Sequence, residues 1–484
     1  MSAESTSVVI GDNIAEIKKV IEEWSAVAPM PGPRSNKNDN EEDIMRVKRA
    51  LAIAVATGFL SGAASSAFAA TEIQWWHAMG GALGETVNDI AAGFNRSQSE
   101  YVVKAVYKGN YTETMTAGIA AFRAGQPPHI MQVFEVGTAT MMAAKGAIYP
   151  VYQLMKDMGE PFDESRYLSA VIGYYTTTDG KLLSMPFNSS TPVVFWNKQA
   201  FAKAGLDRSP ETWEEVGTMS KQIIASGGAE CGFTIGWQSW SMLENFSAWH
   251  NVPFATKENG FAGLDTELTF NSPLHVKHIQ QLADWQAGKV FIYGGRRGEG
   301  NPLFADGKCA MLINSSAYYS GLRKSVKFDF GTGQLPYWSD VAGAPQNSII
   351  GGATLWVLQG HPENEYKGVA KFLNYLSDVF VQTFWHQNTG YVPITNAAYE
   401  LTKRSGYYEK NEGRDVAIIQ MSSKPPTANS KGLRLGSFVQ TRDIINDELE
   451  AIWSGKKSAK QGLDDAVSRG NKLLRKFEKA NRTM

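Results

Sequence analysis

The sequence has almost no net charge and few cysteines. The first property limits the class of partner that the chain can bind, and the second limits the covalent cross-links that it can form. Its 47 Lys and Arg residues nearly balance its 48 Asp and Glu residues, which gives a formal net charge of −1. Proteins that bind nucleic acid carry an excess of basic residues, so no nucleic-acid partner is expected. Cys231 and Cys309 are the only cysteines. They can pair in an oxidising compartment or be two small buried apolar side chains, and the sequence leaves both readings open.

The familiar motifs of hydrolytic and metal sites are also absent. The chain contains no G-x-S-x-G nucleophile elbow, no H-E-x-x-H and no paired C-x-x-C. His275 and His278 lie three residues apart on a predicted helix, but nothing nearby completes a set of metal ligands, so we expect a solvated helix face. Residues 294–298, Gly-Gly-Arg-Arg-Gly, lack the G-K-[ST] ending of a phosphate loop and predict a flexible basic turn. The sequence thus predicts no catalytic residues, no metal and no cofactor.

Residues 45–69 have the features of a secretory signal peptide. Three basic residues lie between positions 46 and 49, an apolar segment follows at 50–60, and small residues end in the cleavage pattern Ala67-Phe68-Ala69. The apolar segment is too short to span a bilayer. Residues 1–44 include a polar run rich in Pro, Asn and Asp. We interpret them as a non-native or disordered leader, with a genuine extended N-terminal segment as the alternative. A periplasmic location is therefore expected.

The chain that follows position 69 is too long for one compact core and suggests two lobes. Its first part alternates predicted strands and helices: strand 73–76, helix 83–94, strand 101–107, helix 115–122 and strand 130–134. This order predicts a mainly parallel sheet with helices on both faces. Ligands of such sheets bind beyond the carboxyl ends of the strands, which places His77, Tyr111 and Glu135 on one functional rim.

Helices predominate in the second part, with further strands predicted at 304–313 and 349–357. No internal repeat and no low-complexity linker separates the two parts, so the chain is expected to cross between the lobes more than once. We predict an α/β fold with two lobes and a ligand in the cleft between them. The N-terminal lobe is predicted to comprise residues 70–189 and 316–357, and the C-terminal lobe residues 190–315 and 358–484.

Candidate anion-binding residues are spread along the chain. Residues 186–192, Pro-Phe-Asn-Ser-Ser-Thr-Pro, set four small polar side chains between prolines, so that donors such as the Ser190 hydroxyl can be aimed at an anion. A hinge or edge segment is an equally good interpretation. Ser315 opens a predicted helix, whose free N–H groups favour negative charge, and Gly352 allows backbone to approach a ligand closely. Taken alone, these two positions are better explained as an N-cap and a β-bulge, and Arg442 as a surface charge.

Longer motifs change the weight of these interpretations. They comprise Tyr107-Lys108-Gly109-Asn110-Tyr111 and residues 132–142, 186–192, 243–249, 345–347, 349–352, 389–391 and 431–436. In these motifs the chain from about residue 70 onward resembles the periplasmic sn-glycerol-3-phosphate-binding proteins of bacterial ABC importers, within the maltose-type family of extracellular solute-binding proteins. Residues 77–81, His-Ala-Met-Gly-Gly, depart from those relatives, which tend to carry Ser and Glu after the histidine position.

The resemblance implies a monomeric binding protein and not an enzyme. Its partners would be the transmembrane permease subunits and the cytoplasmic ATPase of an ABC transporter. Glycerophosphodiesters such as glycerophosphocholine would be further ligands beside glycerol 3-phosphate. Every implied ligand-binding position carries the residue type that the family uses: Tyr111, Glu135, Ser190, Trp237, Ser315, Gly352, Tyr391 and Arg442.

The chemistry of this set fits a phosphate monoester. Phosphate oxygens are acceptors and call for donors, which the set offers in Ser190, Ser315, the Gly352 N–H, the Tyr391 hydroxyl and the Arg442 guanidinium. Glu135 and Tyr111 suit the hydroxyls of glycerol, and Trp237 can cover the carbon chain. Two rival functions stay open. A maltose-type oligosaccharide or polyol receptor would have more stacking aromatic residues, and a secreted glycerophosphodiesterase would need a metal cluster or a nucleophile–base pair.

The signal peptide gives a first prediction. Secretion should produce a protein that begins at or near Ala70, because the Ala67-Phe68-Ala69 pattern follows a basic and then an apolar segment. N-terminal sequencing of the periplasmic protein checks this. A secreted form that starts upstream of Met45 would contradict it.

Overall fold

Two β-sheets organise the part of the chain that this computed structural model describes, residues 70–144, 146–177 and 179–482. The predicted leader and signal peptide lie outside the described residues. The strands, in chain order, are β1 Thr71–His77, β2 Tyr101–Tyr107, β3 Ile130–Phe134, β4 Ile148–Tyr149, β5 Met185–Ser190, β6 Pro192–Asn197, β7 Cys231–Ile235, β8 Cys309–Ser315, β9 Phe330–Gly333 and β10 Gly351–Leu358. Several agree closely with the strands expected from apolar runs, and β2 and β3 agree residue for residue.

The helices fall between these strands and after the last one. In chain order they are α1 Gly81–Ser97, α2 Tyr111–Arg123, α3 Thr138–Ala143, α4 Val151–Asp157, α5 Ser169–Ile172, α6 Lys198–Lys203, α7 Trp213–Ala225, α8 Asn245–Trp249, α9 Pro273–Ala287, α10 Asn301–Ala305, α11 Tyr319–Ser325, α12 Glu363–Leu376, α13 Val379–Asn388, α14 Asn396–Arg404, α15 Tyr407–Lys410, α16 Val416–Ser422, α17 Phe438–Trp453 and α18 Ala459–Asn481. None of the helices in the described residues is both long enough and apolar enough to cross a membrane.

The first sheet has the strand order β2-β1-β3-β10-β4, and β5 also pairs with β10. Helices α1, α2 and α12 pack against β2, β3 and β1 respectively. The predicted apolar face of α1 is buried at Val87, Ile90 and Phe94. Phe372 of α12 contacts the rings of Trp75 and Phe94 at centroid distances of 5.4 and 5.1 Å, which fixes α12 on this sheet.

The second sheet has the order β7-β8-β6-β9. Helix α7 packs on β7, α16 packs on β6, and the long C-terminal helices α17 and α18 pack on each other and on α9. The two sheets with their helices form the two lobes of an α/β fold, as predicted from the sequence.

The pairing inside the sheets differs from the predicted mainly parallel arrangement. Three strand pairs are parallel, β1–β2, β1–β3 and β7–β8, whereas five are antiparallel. The prediction followed the early βαβα order, which does give parallel neighbours. The antiparallel pairs arise where the chain changes lobes, because β10 returns to the first sheet and β6 enters the second.

The predicted lobe boundaries need three corrections. Ser190, assigned to the C-terminal lobe, ends β5 and pairs with Gly351 of β10 in the first sheet. Strand β9 lies within the segment 316–357 assigned to the first lobe, yet it pairs with β6 in the second sheet through Val194↔Gly333. Helices α12 and α13 lie within the segment 358–484 assigned to the second lobe, yet α12 packs on β1 and α13 on α1 of the first. Local apolar patterns predicted these elements but carried no signal of which sheet they would cover.

Two local predictions were also wrong. The strand expected at 304–313 starts only at Cys309, because residues 301–305 form α10 with a proline in its first turn. His275 and His278 are completely buried and not solvated. Ser247 and Ser272 hydrogen-bond the two ring nitrogens of His275 at 2.8 and 2.7 Å, and burial lowers the pKa of that ring to about 3.

The chain crosses between the lobes through the polar segment that the sequence singled out. β5 ends at Ser190 in the first sheet and β6 begins at Pro192 in the second, so Thr191 alone separates them. The Thr191 hydroxyl donates to the Ser348 hydroxyl at 2.6 Å and accepts from the Gln420 amide at 3.1 Å. This buried residue therefore forms a joint between the lobes.

The two cysteines are joined in a disulfide, which resolves the alternative that the sequence left open. Cys231 and Cys309 are direct partners on the parallel strands β7 and β8, with their Cα atoms 4.5 Å apart. The bond closes a loop of 78 residues and ties the second sheet to itself.

We expect the variant Cys231→Ala/Cys309→Ala to lose about 2–4 kcal/mol of unfolding free energy, because the open loop gains entropy in the unfolded chain. Urea denaturation followed by fluorescence measures this. The wild-type protein denatured with reductant is the control, since it lacks the cross-link but keeps both side chains. A variant with the same midpoint as oxidised wild type would contradict a stabilising role.

Candidate functional site

A cavity of about 440 Å³ lies between the lobes. It is bordered by the ends of β3, β5 and β8 and by the start of β10, as expected for ligands that bind beyond strand ends. The structure places every sequence-predicted ligand-binding residue in its wall: Tyr111, Glu135, Ser190, Trp237, Ser315, Gly352, Tyr391 and Arg442. His77, which was expected on the same rim, does not line it. His77 is buried, and burial lowers its pKa to about 4.

Two serine hydroxyls from different lobes meet in the cavity wall. Ser190 ends β5 of the first sheet, and Ser315 ends β8 of the second. The Ser315 Oγ donates to the Ser190 Oγ at 2.9 Å and accepts from the Ala317 N–H at 3.2 Å. The predicted N-cap role of Ser315 is therefore present, and the same hydroxyl also faces the cavity. Together the two hydroxyls form a small polar surface next to the joint at Thr191.

Gly352 is a place where only glycine fits. Its φ is +105°, in the left-handed region, and a Cβ there would lie 2.0 Å from the carbonyl oxygen of Asn188. The register between β10 and β5 shifts one residue later, between Ala353 and Thr354. Both interpretations of Gly352 from the sequence thus apply to this part of the cavity wall: its backbone approaches neighbouring atoms closely, and the strand pairing is irregular beside it.

The Arg442 guanidinium lies between two buried carboxylates. Its Nε and Nη2 donate to the two oxygens of Glu244 at 2.9 and 2.6 Å, and Nη2 also donates to Glu135 at 2.8 Å. The three side chains are 8, 1 and 6% exposed for Arg442, Glu244 and Glu135 respectively, so this triad is almost dry. Burial raises the pKa of Glu135 against the pull of Arg442. Burial lowers the pKa of Arg442, but the two carboxylates outweigh it and raise that pKa.

This triad changes the role given to Arg442. The sequence suggested a guanidinium available to phosphate, whereas two of its three nitrogens are occupied by carboxylates. Glu244 was missed as a functional residue. It lies inside the motif at 243–249 but was assigned no role. Trp240–Glu244 forms a π-helical turn, a geometry that occurs often at functional sites, and sequence patterns give no signal for it.

A chain of hydrogen bonds orients the Tyr111 hydroxyl. The Ala78 N–H donates to Gln132 at 2.7 Å, the Gln132 amide donates to Asn188 at 2.7 Å, and the Asn188 amide donates to the Tyr111 oxygen at 2.9 Å. The Tyr111 hydroxyl also shares a side-chain hydrogen bond with the Tyr391 hydroxyl. Burial raises the pKa of Tyr111 and of Tyr391, so both phenols stay protonated and can act as donors.

Trp237 is held in a backbone conformation that costs energy. Its φ is +53°, which is uncommon for a bulky residue and often marks a functional position. Its N–H donates to the carbonyl oxygen of Arg297 at 2.9 Å, and the Arg297 guanidinium lies 5.8 Å from the centre of its ring. Arg297 also lines the cavity. It belongs to the segment 294–298 that the sequence presented only as a basic turn.

One cluster elsewhere has the composition of a metal site. The ligand atoms of His129, His361 and Glu365 lie within 4.8 Å of one another at the far end of the first sheet. The Gln74 N–H donates to His129 Nδ1 at 3.0 Å, which places the ring proton on Nε2, from where it reaches Glu365 at 2.7 Å. A protonated Nε2 cannot ligate a metal. The cluster is therefore a hydrogen-bonded link between β3 and α12.

Comparison with curated proteins finds close relatives over most of the chain. The sn-glycerol-3-phosphate-binding periplasmic protein UgpB of Yersinia pseudotuberculosis is 52% identical over 421 residues, covering 86% of this chain and 95% of that protein. UgpB of Salmonella typhimurium is 51% identical over 437 residues, covering 90% of this chain and 98% of that protein.

Solved structures share the fold at lower identity. UgpB of Mycobacterium tuberculosis in complex with glycerophosphocholine has a TM-score of 0.71 and 21% identity, covering 84% of this chain and 99% of that one. The GacH receptor of Streptomyces glaucescens, solved unliganded and with acarbose, has a TM-score of 0.70 and 19% identity, with coverage of 84% and 99%. The family model of the bacterial extracellular solute-binding proteins matches residues 89–413. The chain therefore belongs to the bacterial extracellular solute-binding protein family.

Proposed function

We propose that this chain is a periplasmic binding protein that captures sn-glycerol 3-phosphate and delivers it to the permease of an ABC importer. The observation that carries the proposal is one cavity with two kinds of polar wall. Neutral donors gather at Ser190 and Ser315, and a carboxylate held by an arginine lies at Glu135. The names and ligand of the UgpB relatives support the same substrate class.

The phosphate is assigned to the serine end of the cavity. Phosphate oxygens accept hydrogen bonds, and this end offers the two serine hydroxyls, the backbone at Gly352 and the Tyr391 hydroxyl. Replacing the Ser315–Ser190 hydrogen bond by bonds to phosphate leaves neither hydroxyl unsatisfied. Because these donors are neutral, the contact is specific without the strong attraction of several fixed cations, and the ligand can be released to a transporter.

The glycerol hydroxyls are assigned to the opposite wall. A hydroxyl can donate to Glu135 and accept from Arg442 or Tyr111, so each group is used in the sense its chemistry allows. In the described residues no partner is found for the Nη1 of Arg442, which leaves a donor for this contact. Trp237 covers the carbon chain between the two walls. This assignment replaces the earlier one, in which Arg442 served the phosphate.

Glycerophosphodiesters are proposed as further ligands. The cavity continues into a second one of about 350 Å³, and Trp237, Trp240 and Arg442 line both. A ligand larger than glycerol 3-phosphate therefore has room. No histidine or cysteine is found among the described residues that line the main cavity. A nucleophile–base pair of the usual kind is not formed there, and we propose binding without catalysis, by a monomer in the periplasm.

Calorimetry tests the proposed ligand directly. We expect the purified protein to bind glycerol 3-phosphate with one site per chain, to bind glycerophosphocholine as well, and to give no heat with maltose. Assay of free choline in the glycerophosphocholine mixture tests for hydrolysis, and none is expected. Binding of maltose in place of glycerol 3-phosphate would favour the oligosaccharide alternative and contradict the proposal.

Substitutions at the two walls should separate phosphate from glycerol. Ser190→Ala removes a hydrogen bond to a charged group. The binding free energy of glycerol 3-phosphate should therefore weaken by about 1.5–3 kcal/mol, which is roughly a 10- to 150-fold loss of affinity. The binding of inorganic phosphate, measured by its weak competition with glycerol 3-phosphate, should weaken as well. Glu135→Gln should weaken the binding of glycerol 3-phosphate but not that of inorganic phosphate.

Ser189→Ala is the matched control for this comparison. Ser189 is adjacent to Ser190, its buried hydroxyl has no hydrogen-bond partner in the described part of the chain, and it does not line the cavity. Its variant should bind both ligands as wild type does. Equal losses for both ligands in the Ser190 and Glu135 variants would show that the two walls do not divide the ligand as assigned.

A further inference from the structure

Among the described residues, two arginines line the cavity, and only Arg442 of these two is neutralised by carboxylates. Arg442 is held between Glu135 and Glu244, so these three groups together carry a net charge of −1 when both carboxylates are ionised. For the Arg297 guanidinium, no carboxylate lies within 4.0 Å among the residues that the structure describes. Its one side-chain hydrogen bond there is a long contact of 3.4 Å from Nη2 to the Thr112 hydroxyl. Among the described residues, the positive charge of Arg297 is thus not balanced by a carboxylate.

We propose that Arg297 is the residue that makes this cavity select dianionic phosphomonoesters. The inference rests on the proposed function and adds to it the source of the positive charge. Without Arg297, a dianion would meet the triad of Glu135, Arg442 and Glu244, which sums to −1 when both carboxylates are ionised. With Arg297, the sum is zero, and the guanidinium can form charge-assisted hydrogen bonds to an arriving phosphate.

The neighbouring arginine shows how unusual this is. Arg296 donates through Nε and Nη2 to Glu450 at 2.9 and 2.6 Å, and through Nη2 to Asp447 at 2.7 Å. It lines only the second cavity. Two consecutive arginines on one turn therefore have opposite environments, one fully paired in a surface network and one facing the ligand cavity without a counter-charge.

The backbone of Arg297 is fixed while its side chain is not. The Arg297 carbonyl oxygen accepts the Trp237 N–H at 2.9 Å, and the Arg297 N–H donates to the Glu299 carboxylate at 2.7 Å. These bonds hold the start of the side chain beside Trp237. In the described residues the guanidinium end has a weak hydrogen bond to Thr112 and lies 5.8 Å from the centre of the Trp237 ring, so exchanging the Thr112 contact for a phosphate oxygen costs little.

The Thr112 contact also shows that Arg297 reaches across the cleft. Arg297 lies on the segment that precedes α10 of the second lobe, whereas Thr112 lies in the first turn of α2 in the first lobe, next to Tyr111. A cation at this point is partly exposed and contacts both lobes, so it can attract anions before the lobes close. Its effect should therefore appear in the association rate and in the dependence on salt.

The test compares Arg297→Gln with Arg296→Gln and Arg297→Lys in the full chain. Affinity by calorimetry and association rates by stopped-flow fluorescence are measured at low and high salt, with glycerol 3-phosphate and with glycerophosphocholine. Glycerol 3-phosphate is mainly a dianion at pH 7.5, whereas glycerophosphocholine has no net charge. Arg297→Gln should weaken glycerol 3-phosphate about tenfold or more at low salt and flatten its salt dependence.

The same variant should change glycerophosphocholine binding by less than about threefold, since a zwitterion gains little from one added cation. Arg296→Gln should behave as wild type, and Arg297→Lys should keep most of the selectivity. Equal losses for both ligands in Arg297→Gln, or a loss for glycerol 3-phosphate no larger than that in Arg296→Gln, would overturn the inference while leaving the proposed function intact. A wild-type protein that binds neither ligand would overturn the proposed function and this role with it.

Discussion

The buried triad of Glu135, Arg442 and Glu244 is the contact on which the rest of the site depends. Glu135 follows β3 of the first lobe, Arg442 lies on α17 of the second, and Glu244 fixes the guanidinium from the side away from the cavity. Removing Arg442 would leave two buried carboxylates without a counter-charge, and breaking a buried ion set in this way typically costs about 3–5 kcal/mol, so the arginine is needed for structural reasons. It joins the lobes at one wall of the cavity, and the two serines join them at the other. A ligand between these walls replaces no core packing and only exchanges polar partners.

The charges of the cavity agree with the proposal that neutral donors at Ser190 and Ser315 face the bound phosphate. Arg442 is already balanced by carboxylates, and Arg297 lies beside Trp237 and contacts Thr112 of the first lobe. The serine end of the cavity, at Ser190 and Ser315, therefore offers hydrogen-bond donors but, within the described residues, no positively charged side chain. Such a site recognises the shape and acceptor pattern of phosphate, while the overall attraction is set by one accessible guanidinium. Specificity and release are thereby assigned to different residues, an arrangement suited to a protein that must give its ligand up.

Much of the fold could be predicted from apolar periodicity, and much less of the pairing. β2, β3 and the buried face of α1 follow from local patterns. The lobe to which β9 and α12 belong cannot be predicted from local patterns. An apolar strand or an amphipathic helix indicates that the element packs in or on a sheet, but not which of the two sheets. The site shows the same division. All eight residues implied by the family motifs line one cavity, yet the partners of Arg442 are 198 and 307 positions away and cannot be identified from spacing. The burial of His278 was missed for the same reason: Phe246 stacks on it from a distant helix.

The joint at Thr191 connects the fold to the mechanism. Ser190 and Pro192 flank it, and Pro192 is the register partner of Ser315, so both serines lie where the two sheets are covalently linked. Rotation of the lobes about this joint changes the distance between the serines least. Glu135 and Arg442 are carried on β3 and α17, which this joint does not connect directly, so their separation responds more to the same rotation. A ligand held only at its phosphate end would therefore gain no further contacts when the lobes close. Under the proposed assignment, a ligand with hydroxyls at the other end would gain contacts only when the lobes come together, and its binding free energy would include the cost of that closure.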